Sequence, residues 1–426
     1  MHRFRLFCFP LLLIAWLAAP SAAAQTQKVF SRYQDRIVQV RILEASSGAK
    51  AGVGSGFVVS PSGLIVTNYH VIADLVHKPE QYRGEVLTAD GRLAPLHLVN
   101  FDVVHDLALV ATDLPFRGHL LLATGPVAVG SRVYSIGTPL DLGFTIVEGT
   151  YNGLLQHSLY EKIHFTGSLN PGMSGGPALL GDGRVVGVNV ATAGNQVSFL
   201  VPAHHVAALL SRTPGRAPLS TEAARRLLSR DLIANQARYV ETLLATPLAT
   251  TPLGEYRVPG RIASFLRCWG DARRESGQVV EQVTQQCSSE DDLYLSRTQQ
   301  TGMIHYQHDY LAGRNINRFR FYALYQAQFN QPYEKIPAGR EDVSRFACHT
   351  DFVRHGSLTF KAALCLRRYK NVPGLFDAVL RAATLTAPTR GLVTTLILGG
   401  VTEDNARRFA RHYLESFTEG SRTWNR

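Results

Sequence analysis

Between residues 28 and about 210 one pattern recurs: short runs of Val, Ile and Phe broken by glycine-bearing turns. "IVQVRI", "GSGFVVS", "GLIVTNYHVI", "LALVAT", "RVYSIG" and "RVVGVNVAT" follow one another closely, and the 3.6-residue periodicity of a helix is missing from them. Many short strands at such spacing point to an all-β barrel or sandwich. The pattern stops at "SRTPGRAPLS", residues 211–220, whose two prolines, glycine and arginines read as a linker.

Beyond the linker the periodicity changes. "STEAARRLLSRDLIANQARYVETLLA" predicts a helix, with Ser220 as its N-cap and Glu222 near the positive end of its dipole. "FRFYALYQAQF" alternates, so Phe319, Phe321, Ala323, Tyr325, Ala327 and Phe329 are expected on one face of a strand. Ala406, Phe409, Ala410, Tyr413, Leu414 and Phe417 follow helical spacing after Thr402, a candidate cap. The second half therefore reads as a separate α+β domain.

The first 24 residues differ from everything after them. "MHRFR" is basic, "LFCFPLLLIAWLAA" is apolar and "SAAAQ" closes on small residues, the layout of a secretory signal cleaved after Ala24. An uncleaved anchor is the alternative. Export to a periplasm or the extracellular space frames the cysteines. Cys8 leaves with the signal, and Cys268, Cys287, Cys348 and Cys365 remain, an even number that reads as two disulfides. Three pairings are open; the sequential one, which closes short hairpin-like loops, is preferred. No C-x-x-C or histidine spacing supports zinc, and no metal or cofactor is expected.

The formal charge is +11, or +9 once Arg3 and Arg5 are lost with the signal (11 − 2). The excess lies after residue 220, where 28 basic side chains face 20 acidic ones. A basic half suits anionic lipid, nucleic acid or acidic protein, or is simply an arginine-rich solvated surface. No nucleic-acid motif accompanies it, so contact with an envelope surface is the partner it leaves open.

Ser174, in "LNPGMSGGPAL", is the candidate nucleophile. A serine hydroxyl needs a base, the base needs an orienting acid, and the developing oxyanion needs amide donors. "VTNYHVI" supplies His70 at the end of an expected strand, and "VHDLALV" supplies Asp106 at the start of another. The order is His, Asp, Ser, with gaps of 36 and 68 residues (106 − 70 and 174 − 106), the order of trypsin-fold proteases. His105 is read as turned to the opposite face by strand alternation, and His204–His205 as a surface pair after the last barrel strand.

"GSGFVVSPSGLIVTNYHVI", "DLALV", "VYSIGTPLDLGFTIVEGTYNG" and "NPGMSGGPALLGDGRVVGVNVAT" resemble the protease domain of the HtrA/DegP group over roughly residues 28–210. The resemblance implies two six-stranded β-barrels with the active site between them. His70 would be general base and then acid, Asp106 would fix its tautomer, and the amides of Gly172 and Ser174 would form the oxyanion hole. Gly175 and Gly176 would clear space for the substrate chain. Two departures stand out. Met173 occupies the position where digestive relatives carry an activating Asp and HtrA-type enzymes usually Asn. Ser168 stands where trypsin places its specificity acid, and Val190, Ala191 and Thr192 fall on the pocket strand, so small or medium apolar side chains are expected before the scissile bond. The glycine-apolar loop of a PDZ domain is not found after residue 220. Phe30 and Tyr33 resemble the aromatic contacts of trimeric relatives, so an oligomer is open.

These readings give a signal peptide (1–24), a trypsin-like serine protease domain (25–212), a linker (213–220) and an α+β domain with two disulfides (221–426). The expected activity is endopeptidase cleavage of protein or peptide substrates, unfolded ones included. The alternatives are a silent protease-fold scaffold, an envelope holdase, or a membrane-surface protein using the basic half.

Overall fold

A computed structural model describes residues 22–192, 194, 196–273, 279–289, 291–331, 336–385 and 387–420. Most of the expected signal, residues 1–21, lies outside them. Six helices are described: α1 (Ala22–Tyr33), α2 (Tyr69–His77), α3 (Ala203–Ser211), α4 (Thr221–Leu244), α5 (Arg318–Phe329) and α6 (Glu403–Glu415). None is long and apolar enough to cross a membrane.

The β-rich half folds as two closed antiparallel barrels. The first contains β1 (Ile37–Glu44), β2 (Lys50–Val58), β3 (Ile65–Thr67), β4 (Tyr82–Thr88), β5 (Leu93–Asp102) and β6 (Leu107–Thr112), ordered β1-β2-β3-β6-β5-β4. The second contains β7 (Arg132–Gly137), β8 (Thr145–Leu154), β9 (Ile163–Phe165), β10 (Pro177–Leu179), β11 (Val185–Thr192) and β12 (Ser198–Pro202), ordered β10-β11-β12-β9-β8-β7. Along β1, Val38, Val40 and Ile42 fall on one face by the two-residue period and join the first barrel's core, which α2 caps with Tyr69 and Ile72. Ile37 belongs instead to the cluster between the barrels, with Phe57, Val66, Tyr134 and Val188.

The remaining strands are β13 (Thr250–Leu253), β14 (Tyr256–Pro259), β15 (Arg267–Arg273), β16 (Val280–Ser288), β17 (Leu293–Ser296), β18 (Gln299–Thr301), β19 (Ile304–Gly313), β20 (Ala347–His355), β21 (Leu358–Arg368), β22 (Phe376–Thr384), β23 (Arg390–Val401) and β24 (Thr418–Glu419). Seven of them form an open antiparallel sheet, β15-β16-β19-β23-β22-β21-β20. Strand β23 shows how both faces are buried. Leu392, Leu396 and Leu398 join the core that holds Phe409 and Tyr413 of α6, while Val393 meets Phe321 and Tyr325 of α5.

The disulfides are Cys268–Cys287 and Cys348–Cys365, the sequential pairing. Each joins directly opposed residues of neighbouring strands, β15 to β16 and β20 to β21. Strands β15 and β20 are the two edges of the sheet.

Helix α4 begins where the sequence indicated, with Ser220 Oγ accepting from the Ala223 amide. Thr402 caps α6 in the same way, through the Asn405 amide. The alternating aromatic run is a correction: residues 318–329 are helix α5, not a strand. Asn317 caps it by accepting from the Arg320 amide, and only Phe321, Tyr325 and Gln328, spaced four and three apart, are buried. Phe319, which alternation placed with them, is 73% exposed.

The linker is laid down on the first barrel. The Leu219 amide donates to the Leu98 carbonyl at 2.7 Å, and His97 Nε2 meets the Arg216 carbonyl at 2.8 Å. The core follows it across: Ala224, Leu228 and Leu232 of α4 and Leu293 and Leu295 of β17 share one cluster with Val40, Tyr69 and Ile72. Tyr33 is also used within the chain. It is 5% exposed and its hydroxyl donates to the Asp182 carbonyl at 2.6 Å, so α1 docks on the second barrel.

Candidate active site

Strand β3 ends at Thr67, Asn68 caps the next turn in an extended conformation, and His70 is the second residue of α2. The sequence placed it at a strand end; it lies one turn further. Asp106 closes a turn at residues 103–106 with φ of 53° and leads directly into β6. Asn68 Nδ2 donates to the Asp106 carbonyl at 2.8 Å and fixes this strained corner.

Asp106 grips His70 twice. Oδ1 accepts from the His70 amide at 2.8 Å, and Oδ2 lies 2.6 Å from Nδ1. This bond puts the proton on Nδ1 and leaves Nε2 free to accept. Burial by itself would lower the His70 pKa, but the charge of Asp106 and its hydrogen bond outweigh burial, and the pKa lies above the ordinary 6.5. The side chain keeps 26% of its surface exposed, enough for a reactant to reach it.

The Ser174 loop is built to aim amides. The Gly172 carbonyl accepts from Ser55 Oγ at 2.7 Å, the Met173 carbonyl from Asn189 Nδ2 at 3.1 Å, and the Ser174 carbonyl from the Ser55 amide at 2.7 Å. The Pro171 carbonyl accepts from the Leu140 amide at 2.8 Å. Since C=O and N–H of a trans peptide point opposite ways, the Gly172 N–H is turned away from that contact. Among the described residues neither the Gly172 nor the Ser174 amide has an acceptor. Gly172 needs its φ of 96°, and a Cβ there would sit 2.4 Å from the Thr138 carbonyl.

Gly175 and Gly176 do a different job from the one expected. A Cβ on Gly175 would lie 2.2 Å from the Ser55 carbonyl, and one on Gly176 would lie 2.1 Å from the Ile136 carbonyl. They let the loop press against both barrels. Met173 is fully buried among Val133, Phe165, Leu169 and Ala178. An apolar plug thus anchors the loop at the position where digestive relatives use an ion pair.

The Ser174 hydroxyl itself rests on the Val190 carbonyl at 3.3 Å and makes no hydrogen bond to His70 among the described residues. Ser168 is exposed, Val190 is half-buried and Ala191 and Thr192 continue β11. No carboxylate stands at residue 168. Ser55, Thr138 and Asn189 were missed by sequence reasoning. "GSG" at 54–56 was the available signal for Ser55, but nothing local marks a serine whose partners lie more than 80 residues away.

His105 requires a correction. It sits in the 103–106 turn, where strand alternation does not apply, and it lines the same cleft as His70. Its Nδ1 lies 2.9 Å from Asp102 Oδ2 and its ring stacks on His205 at 3.7 Å. Burial would raise Asp102, but His105 and Arg212 outweigh it and hold its carboxyl down to about 2. Burial, then repulsion from His105 and His204, lowers His205 to about 4. Among the described residues, Glu161, His204 and His205 form the one cluster of metal-ligand type, with one atom of each within 4.8 Å of the others.

Residues 54–188 match the model of the trypsin-like peptidase domain. Serine protease HTRA1A of Danio rerio is 29% identical over 222 residues, 50% of this chain and 42% of that protein. Protease Do-like 1, chloroplastic, of Arabidopsis thaliana is 32% identical over 180 residues, 38% of this chain and 39% of that one. A probable periplasmic serine endoprotease DegP-like of Chlamydia pneumoniae is 33% identical over 156 residues, 35% of this chain and 30% of that one. The chain spans less than half the length of these relatives. The serine endoprotease from Yersinia pestis aligns in structure with a TM-score of 0.39 at 23% identity, covering 44% of this chain and 66% of that one. Residues 54–188 thus match a trypsin-like peptidase domain within the paired barrels, and this part of the chain is similar in sequence to HtrA/DegP serine proteases.

Proposed function

We propose that the protein is an exported serine endopeptidase in which Ser174 attacks, His70 is general base and then acid, and Asp106 holds the imidazole. The observation that carries this is the pairing of an Asp106-bound His70 with two unoccupied amides on the Ser174 loop. On this reading the Ser174 hydroxyl leaves Val190 for Nε2 by turning about its Cα–Cβ bond, a change between ordinary staggered wells. Nε2 then accepts its proton as Oγ forms the bond to the scissile carbonyl carbon. The carbonyl oxygen becomes negative facing the Gly172 and Ser174 amides, worth about 3–4 kcal/mol per donor in such sites. The imidazolium, stabilised by Asp106, returns the proton to the leaving amine. Water repeats the sequence on the acyl-enzyme.

The absence of a carboxylate at Ser168, with Val190 beside the hydroxyl, favours small or medium apolar side chains before the cut. Protein or peptide substrates, unfolded ones among them, suit a cleft open between two barrels. A periplasmic or secreted setting is supported by the paired cysteines and by the periplasmic relative. Residues 25–212 would form the protease unit and 221–426 its α+β companion.

One observation favours a second reading, a silent scaffold: the Ser174 hydroxyl rests on Val190 instead of on the imidazole. A fluorophosphonate probe separates the two. Labelling of wild type but not of Ser174→Ala supports the enzyme. No labelling of either supports the scaffold.

A further inference from the structure

The hairpin β17–β18 belongs to the second half of the chain but stands at the cleft. Leu293 and Leu295 are 4% and 0% exposed and point into the cluster that contains Tyr69 and Ile72 of α2. Tyr294, between them, is half-buried and packs against the margin of the same cluster, leaving part of its ring exposed. Three attachments fix the hairpin to the barrels. Tyr69 donates its hydroxyl to the Leu295 carbonyl at 3.4 Å, one residue before His70. Arg297 pairs with Asp74 of α2 at 2.7 Å and donates to the Ala51 carbonyl of β2 at 2.6 Å. Asp291, 5% exposed, binds the β8–β9 loop of the second barrel through Lys162 at 2.8 Å and the Leu159 amide at 2.6 Å.

The consequence is the position of Tyr294. Its ring stands edge-on to the His70 imidazole, with centroids 5.8 Å apart and planes at 65°. It keeps part of its surface exposed and lines, with His70, Asp106, Tyr160 and Val190, a cleft of about 290 Å³. A ring held at both ends of its hairpin, beside the base and facing open space, offers an apolar wall to whatever peptide lies over the imidazole.

Resting on the peptidase reading above, we propose that Tyr294 is a specificity-determining residue: the second half of the chain completes the substrate cleft, and the ring selects peptides with a large apolar side chain where they cross His70. A wall of this kind discriminates by apolar contact, which is worth about tenfold or more between a filled and an unfilled site.

The test uses the full chain with Ser174→Ala, so that peptides bind and are not cut, with and without Tyr294→Ala. The probe is a set of fluorescent peptides in one unstructured frame, each carrying Leu, Phe, Ala, Ser or Asp at successive positions. The expected result is one position at which Tyr294→Ala weakens the Leu and Phe peptides about tenfold and the Ala, Ser and Asp peptides far less. Tyr294→Phe should keep the preference, since the wall and not the hydroxyl is at work. An equal loss across all peptides, or none, overturns the proposal. If Tyr294→Ala lowers the thermal midpoint, the Tyr294→Gln variant, which keeps length but loses the apolar wall, is read instead, and its failure to move the Phe-to-Ser ratio overturns it as well. Failure of the peptidase reading has a separate signature, intact peptides with wild type while selective binding persists.

Discussion

The two halves of this chain meet the same difficulty, an exposed sheet edge, by different means. Each barrel closes on itself, so the described peptidase half has no free edge and carries no cysteine among its disulfides. The seven-stranded sheet is open and has two edges, and each edge strand is tied to its inner neighbour by a disulfide. Closure leaves the barrel loops free for the candidate site, whose loop is set by glycine angles and by carbonyls that Ser55 and Asn189 hold. The open sheet invests side chains in its own integrity. An edge with unpaired N–H and C=O groups invites another strand, and a covalent staple holds the edge strand in register against that exchange. The lesson is a division of labour at the edges: one half removes them by topology, the other guards them with cross-links.

The largest expected effect breaks the first half's chemistry and leaves both architectures intact. Asp106→Asn preserves the shape of the side chain but presents the wrong group to Nδ1. Activity should fall by about 10⁴ in kcat, as expected when a triad loses the tautomer of its base. Thermal melting should barely move. A fall below tenfold in peptide hydrolysis would show that Asp106 is a structural corner and no more.

Next is the second half's buried polar pair. Asp377 is 0% exposed and accepts from Arg367 Nε at 2.7 Å, with the Tyr369 hydroxyl on its other oxygen. Burial pushes the Asp377 carboxyl up in spite of Arg367. Arg367→Met should strand that carboxylate and destabilise by about 3–5 kcal/mol. Because α4 and β17 share a core with the first barrel, denaturant should unfold both halves in one transition. Two separate transitions would make the halves independent.

How much of this was legible follows the same division. His70, Asp106 and Ser174 each sit in a short local motif, so order and spacing singled them out as candidates, and the glycines around Ser174 announced an unusual loop. Their purpose was less legible: Gly175 and Gly176 face Ser55 and Ile136 carbonyls that only the fold brings near. The disulfides were readable because opposed strands place both pairs at short separations, 19 and 17 residues. Helix α5 was misread because aromatic residues at every second position also contain a helical subset, Phe321 and Tyr325, and Asn317 was overlooked as a cap. Tyr294 gave no local sign at all. Its meaning lies in Asp291 and Arg297, which reach partners 129 and 223 residues away.

Reducing the staples probes the same contrast at smaller amplitude. Replacing Cys348 and Cys365 by a pair of alanines should destabilise by about 3 kcal/mol on loop entropy. The effect on a chemical denaturation midpoint should be accompanied by concentration-dependent association, because β20 becomes a loosened edge. Its side chains are exposed along almost the whole strand, Phe352 among them at 66%. Light scattering on the variant and wild type at matched concentrations measures this. Destabilisation with no association would mean that the bond supports only the fold and guards no edge.

The smallest effect sets two histidines against each other, one in each half. His308, wholly buried in the sheet core between Thr394 and the Pro259 carbonyl, has no carboxylate partner among the described residues, and burial lowers it to about 3. His70 is raised above 6.5 because Asp106 overcomes burial. The signs then differ. Neutral His308 is the form the fold prefers, so its contribution to stability is present above the unfolded value near 6.5 and is lost as pH falls from there towards 3. Protonated His70 is preferred by the fold, so its contribution is full below 6.5 and fades as pH rises through its folded value. Catalysis needs the neutral form of His70, and kcat/KM should therefore rise along a single-proton limb centred somewhat above 6.5. The same limb should keep its midpoint in a His308→Gln variant, whose stability should lose its slope between pH 6.5 and 3. A kinetic limb below 6.5 would mean that burial, not Asp106, governs His70, and the peptidase half would then treat its histidine no differently from the sheet.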